Sequence, residues 1–277
     1  MTRRAGRSLL PLAVAGVAWF AAACLDISSP VSGIASITVV MPPTPSVVEH
    51  DTSRDTAGVA KPLKVYAIAP NGDTVSDILV RFFAFDTTGK LRVDSVTGLA
   101  VGDSLSPNAK VFARVTPANG KGILTTPLSP LPVVPVPLAV AKDTDIVFNF
   151  SNTVADTLSS SLISAPLGVT VKGNGDTTVQ SYLVKYELVR SPTSAHGDTT
   201  VVLVNASGRD SSWAATGVGG RATRQLRIRR TAIEPELLVG TKTDTVIVKV
   251  HVLFRGDTLR VTPADSFVVP VHAAPTP

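Results

Sequence analysis

The stretch PLKVYAIAPNGDTVSDILVRFFAF, residues 62–85, decides the fold. Two runs in which apolar and polar residues alternate are split by Pro70-Asn71-Gly72-Asp73-Thr74. Alternation with a period of two is the signature of a half-buried strand. Asn-Gly between two such runs signals a hairpin, because a type I′ turn needs φ > 0 at both central residues. In the second run Ile78, Val80, Phe82 and Ala84 fall on one face and Arg81 on the other, so the first set faces a core and the second solvent. A slip of one residue would invert the whole arrangement.

The same pattern recurs further along the chain. Pro62-Leu63-Lys64-Val65 returns as Pro166-Leu167-Gly168-Val169, and Leu79-Val80-Arg81-Phe82 as Leu183-Val184-Lys185-Tyr186, both 104 residues later. Asn174-Gly175-Asp176-Thr177 repeats the turn with a one-residue slip. Val111 to Val115 then matches Val246 to Val250, and Val133 to Val136 matches Val268 to Val271, at an offset of 135. Order and chemistry agree throughout, which marks a duplicated unit. The faces agree as well: Tyr182, Val184, Tyr186 and Leu188 oppose Lys185 and Glu187, and Val246, Val248 and Val250 oppose Lys249 and His251. The jump in offset places 31 extra residues in the second copy, between Tyr186 and Val246.

Short runs of Val, Ile, Leu, Thr and Phe, punctuated by Gly, Pro, Asn and Asp, continue to the end, and no long segment has helical periodicity. The beginning is different. Arg3, Arg4 and Arg7 precede an apolar run from Leu9 to Phe20 and then Ala21, Ala22 and Ala23, the three parts of an export signal. The run is shorter than the about 20 residues of a membrane span. Cys24 follows directly and resembles the lipid-modified cysteine of bacterial lipoproteins, which implies a membrane anchor there. The alanines also suit ordinary signal peptidase, which would leave a secreted protein with a free thiol. Cys24 is the only cysteine, so no intrachain disulfide can staple the fold. The net charge of +5 drops to +2 without the leader, whose three arginines face no acid.

At Leu63 to Phe85, with its turn, and at Lys110 to Leu124, the chain resembles the bacterial immunoglobulin-like domains of surface adhesins and envelope lipoproteins. The antibody-type cysteine pair is missing, and Phe82 and Tyr186 stand where a third-strand tryptophan would fill the core. The resemblance implies an all-β chain of two tandem immunoglobulin-like Greek-key β-sandwiches after a signal peptide and a short tether. The expected divisions are a signal at 1–23, a lipidated cysteine and flexible tether at 24–35, sandwiches at 36–141 and 142–273, and a tail at 274–277. The second sandwich carries its insertion at about 190–243. A fibronectin-like or other Greek-key sandwich satisfies the same pattern.

The insertion is where a binding surface is expected, because loops and edges vary while the scaffold repeats. It holds Trp213, the only tryptophan beyond the leader, and Arg221, Arg224, Arg227, Arg229 and Arg230. These arginines can grip an anionic glycan. They also fit a strand with a solvated face, since Leu226 and Ile228 alternate with Gln225, Arg227 and Arg229. Asp143-Thr144-Asp145 is the best calcium candidate, yet two acids fall short of the six to eight oxygens that ion takes. His50, His196, His251 and His272 have no zinc-ligand spacing, and no nucleophile elbow, metalloprotease helix or phosphate-cradling loop appears. No catalytic site, cofactor or nucleic-acid partner is expected. The expected function is a non-enzymatic envelope lipoprotein for adhesion or structural spacing, held at the outer membrane through its lipid, with a protein or anionic glycan partner. The alternative is a periplasmic accessory subunit docking onto a larger envelope complex or polysaccharide machinery, whose hallmark would be an exposed apolar patch or an unpaired edge strand.

Overall fold

A computed structural model describes residues 34–86, 88–117, 122–150, 162–192, 200–229 and 243–273. The expected signal peptide, Cys24 and the tether up to residue 33 lie outside these residues, as does the 274–277 tail. The first half contains β1 (Ser36–Ile37), β2 (Val47–Val48), β3 (Asp51–Thr52), β4 (Ala67–Ile68), β5 (Thr74–Val75), β6 (Ile78–Phe85), β7 (Leu91–Val93), β8 (Ala100–Gly102), β9 (Lys110–Pro117), β10 (Leu124–Thr125), β11 (Ser129–Pro130) and β12 (Val133–Val134). The second contains β13 (Ala139–Lys142), β14 (Phe148–Phe150), β15 (Leu167–Lys172), β16 (Leu183–Arg190), β17 (Val201–Val204), β18 (Trp213–Ala215), β19 (Arg221–Ile228), β20 (Asp244–His251), β21 (Leu253–Phe254), β22 (Asp257–Thr258), β23 (Val261–Thr262) and β24 (Ser266–Ala273). The fold is all-β.

The second half is a sandwich of two five-stranded sheets, ordered β17-β19-β15-β13-β23 and β14-β24-β20-β16-β18. Strands distant in sequence lie side by side, so the chain crosses between the sheets. Four strands of one sheet and three of the other follow the order of an immunoglobulin sandwich, with β13, β15, β19 and β17 in one layer and β16, β20 and β24 in the other. Val169, Val171, Val184, Val246, Val248, Val250 and Phe267 are each at most 1% exposed between the layers. Tyr186 is fully buried and donates its hydroxyl to the Ala222 carbonyl at 2.9 Å, joining β16 to β19 across the core.

The first half is assembled from shorter pieces. β6 pairs with β9 over eight residues from Ile78–Pro117 to Phe85–Lys110, burying Phe82, Val111, Ala113 and Val115. On its far side β9 meets β10 and β11 in turn. The matching element of the second half, β24, is one continuous strand. Between Thr125, opposite Arg114, and Ser129, opposite Val111, the chain carries one extra residue, which breaks the strand at Pro127. The two halves share a further device: an early strand pairs parallel with the last one, β2 with β12 and β14 with β24.

The strands whose sequences match pair alike but not in identical register. Phe82 opposes Ala113, whereas Tyr186 opposes Val250 rather than Val248, a shift of two residues with a bulge between Leu188 and Arg190. An even shift keeps every side chain on its face, so the alternation survives. β13 pairs along its whole length with Val169–Lys172, so the strand that spans the expected boundary at 141 and 142 lies in the second sheet system.

The turns differ from expectation in one respect. Asn71-Gly72 is not a type I′ turn, because only Gly72, at φ +89°, is left-handed. Pro70 precedes, and its fixed negative φ makes Ala69–Gly72 a type I turn closed by Gly72 N–H to Ala69 O at 2.9 Å. In the second copy both Gly175 and Asp176 have positive φ, so the turn is centred one residue later. Arg255-Gly256, at φ +54° and +92°, is a two-residue type I′ hairpin between β21 and β22.

Candidate functional site

The arginine strand is β19. Its inward residues Ala222, Leu226 and Ile228 are buried, and Arg221, Arg227 and Arg229 project outward. Each outward guanidinium already has a carboxylate from this chain. Arg221 pairs with Asp143 at 2.5 Å, while Arg227 at 2.6 Å and Arg229 at 3.6 Å share Asp210. Arg227 also donates to the Gly208 carbonyl. Arg224 falls on the inward parity and reaches out of the sandwich edge to the carbonyl and hydroxyl of Ser211. Burial there lowers its pKa. Arg230 lies outside the described residues.

Trp213 is not in the core. It is half-buried on β18 at the edge of its sheet, opposite Lys185, and lines a cleft between the two halves. The region of the expected insertion places an edge strand on each sheet, β17 beside β19 and β18 beside β16; the first half matches β17 with β7 beside β8 and has no counterpart of β18 among the described residues. The two carboxylates of Asp143-Thr144-Asp145 are drawn apart: Asp143 to Arg221, and Asp145 to the buried Lys142 ammonium at 2.7 Å and the Val268 N–H. Among the described residues no three His, Cys, Asp or Glu side chains come together as a metal site.

The most constructed polar cluster lies where the halves meet. Asp51, 7% exposed on β3, accepts Arg54 through both oxygens at 2.8 and 2.9 Å, the Thr52 N–H at 2.8 Å, and Arg255 at 3.1 Å. Burial pushes the carboxyl pKa up, and these donors outweigh it, so the group is held below its ordinary value. Arg54 is raised in turn by Asp51. Arg255 comes from the β21–β22 hairpin tip, 204 residues away, and also donates to the His50 carbonyl at 3.1 Å. Beside it the Ser46 hydroxyl donates to the Ser181 carbonyl at 2.8 Å. Tyr182 donates to the Leu253 carbonyl at 2.5 Å, its pKa raised by burial and then by Asp51. The hairpin tips touch closely enough that a Cβ on Gly58 would lie 2.3 Å from the Gly256 nitrogen. About 60 Å³ of open space remains in the cleft, room for roughly four waters. Val48 and Val134 from the first half are buried in the core cluster of the second. Sequence reading missed this junction. Arg255 sits in a Gly-Asp-Thr turn sequence, which by itself shows a hairpin and no partner.

No family model matches the chain, and no curated protein matches it. Similar solved structures include the Yersinia pseudotuberculosis adhesin InvE, at 17% identity and a TM-score of 0.34, covering 86% of this chain and 60% of that one. A Drosophila N-cadherin EC1-4 structure has 14% identity and a TM-score of 0.27, covering 86% and 50%. A β-glucuronidase of Parabacteroides merdae has 13% identity and a TM-score of 0.29, covering 86% and 24%. The chain thus spans less than two thirds of the length of each of these solved chains. At such scores the all-β architecture rests on the sheets of this molecule alone.

Proposed function

We propose that the chain is a non-enzymatic envelope lipoprotein, exported by its leader, anchored through Cys24, and built as two locked immunoglobulin-like sandwiches that hold a binding surface away from the membrane. The observation that carries this reading is the junction. A carboxylate in the first half is gripped by arginines of both halves, and the hairpin tips pack backbone to backbone. Such a construction favours fixed spacing over free hinging. The arginine strand fits the same reading as a charged but internally neutralised surface, since its described outward arginines face Asp143 and Asp210.

Two measurements test the proposal. Mass spectrometry of the mature protein should find a lipid-modified Cys24, and Cys24→Ala should move the protein from the membrane fraction to the soluble one. Spin-label distances across the halves of the mature chain should form one narrow distribution that broadens in Arg255→Ser. A free N-terminus at another residue removes the anchor, and an unchanged broad distribution removes the spacer. The accessory-subunit reading is favoured by one observation, an open strand edge on the first sandwich, taken up next.

A further inference from the structure

The duplication lets one copy serve as the control for the other. In the second sandwich the outer edge of β16 is covered: Tyr186 N–H donates to Ser212 O at 2.7 Å, β18 then pairs with Leu183–Lys185, and Thr216 N–H donates to Tyr182 O at 2.8 Å. In the first sandwich the matching edge belongs to β6. Phe82 N–H donates to Ser95 O at 3.0 Å, in the position of the Tyr186 bond. There the likeness stops, because the chain turns away at Gly98 instead of continuing as a strand. Phe82 shows which residues point to that edge. With a period of two, Val80 turns its N–H and C=O groups and Ile78 its C=O the same way, and among the described residues no backbone group meets them there, whereas β7 runs back beside the Ala84 end of β6. The residues that cover this edge in the second sandwich, Ser212 to Thr216, fall within the stretch where that copy is 31 residues longer.

The adjoining sheet face differs between the copies in the same sense. On the second sandwich it is polar and self-neutralised, with Glu187 beside Lys185 at 3.7 Å and His251 at 3.0 Å, and Lys249 beside Asp265 at 3.3 Å. On the first it is apolar and cationic. Phe83 and Phe112 stack at 5.1 Å, and Leu79 and Phe85 are 52% and 53% exposed. Arg81 stands directly opposite Arg114, a like-charge pair that costs stability, and Arg114 lies over Phe83 at 5.2 Å. Neither arginine makes an ion pair among the described residues. Asp94, the acid whose charge Arg81 stabilises, is engaged by the Val96 and Thr97 amides.

We propose that the open edge and outer face of β6 form a docking site for an extended acidic polypeptide strand of a partner protein, with backbone bonding to Val80 and the Ile78 carbonyl and carboxylates meeting Arg81 and Arg114. Charge selects this occupant. A second copy pairing edge to edge would bring two Arg81–Arg114 pairs together, which is the repulsion that keeps exposed edges from self-association. An exposed aromatic face beside free backbone groups suits a strand whose residues alternate between apolar and acidic. The site rests on the reading of the chain as a binding module.

The test uses the mature protein and a short synthetic peptide of alternating glutamate and valine, with its lysine-valine counterpart as control. The glutamate peptide should bind and slow exchange of the Val80 amide. Binding should fall about tenfold in Val80→Pro, which removes one edge donor without touching the β6–β9 ladder. It should fall at least as far in Arg81→Glu with Arg114→Glu, a surface pair that decides the matter should Val80→Pro fail to fold. Equal binding of both peptides, or glutamate-peptide binding indifferent to these changes, overturns the site. Sedimentation showing a wild-type dimer lost in Val80→Pro would give the edge to a second copy. A heparin fragment bound through the arginines with no effect of Val80→Pro would give the face to a glycan, and either outcome overturns the acidic strand. Failure here with a lipidated Cys24 and a narrow inter-sandwich distance removes the site and leaves the spacer.

Discussion

Asp51 shows what a single side chain does for this molecule. Its carboxylate is held below its ordinary pKa by Arg54, the Thr52 amide and Arg255, against the opposing push of burial. A depressed carboxyl contributes stability that is complete above its unfolded pKa of about 4 and is lost as the pH falls through the lower folded value. Asp86, drawn down to about 2 by the Thr88 hydroxyl and by the Thr88, Leu91 and Lys90 amides against a smaller push from burial, acts in the same direction. The melting temperature should therefore be level from neutral pH to about 5 and fall between about 4 and 2. Asp51→Asn should cost about 1–3 kcal/mol at neutral pH, less than a fully buried pair because both arginines are partly solvated. It should also widen the spin-label distances between the halves, a readout that separates loosening of the junction from general destabilisation. Tyr186→Phe removes the bond to the Ala222 carbonyl and leaves that acceptor buried, so chemical denaturation should show a loss of about 1–2 kcal/mol with the fold retained. The burial of Tyr186 and Phe82 was legible from alternation alone. Asp51 was not, because a lone acid at a strand end reads as a turn residue until a partner 204 residues away is known.

At the scale of strands and hairpins, period-two patterning carried most of the information. The faces of β6, β9, β16 and β20 follow directly from their sequences, and the two-residue difference in register leaves those faces unchanged. Turn geometry was harder to read. Asn71-Gly72 carries the letters of a type I′ turn, and the preceding Pro70 overrides them. The arginines of β19 were legible as an alternating strand, while their neutralisation by Asp143 and Asp210 depends on tertiary neighbours. Arg227→Ser with Arg229→Ser should accordingly leave retention on heparin nearly unchanged. The same pair of changes frees Asp210, so a marked loss of retention would show that the guanidiniums were available after all. Gly58→Ala tests the hairpin contact. At φ +81° the new methyl is strained and meets the Gly256 backbone, so the hairpin tips must part. The expected result is a lower melting temperature, by an amount matching about 1–3 kcal/mol, with a shifted inter-sandwich distance.

For the whole molecule, the two halves share strand pairings and differ in their edges and outer faces. The second half has an added edge strand, β18, a charge-balanced outer face and a core continuous through every strand of both sheets. The first has an open edge, an aromatic face and a split strand, β10 and β11, beside β9. The parallel pairing of an early strand with the last one, common to both halves, has a mechanical meaning. In each half the entering and leaving segments run side by side in one direction, so tension applied along the chain slides them past each other and loads their hydrogen bonds together. Such shear resists pulling far better than a hairpin peeled open bond by bond. With a two-residue clasp in the first half and a three-residue clasp in the second, a chain stretched from its ends should yield at β2–β12 before β14–β24. Single-molecule extension would then record two rupture events, the weaker one first.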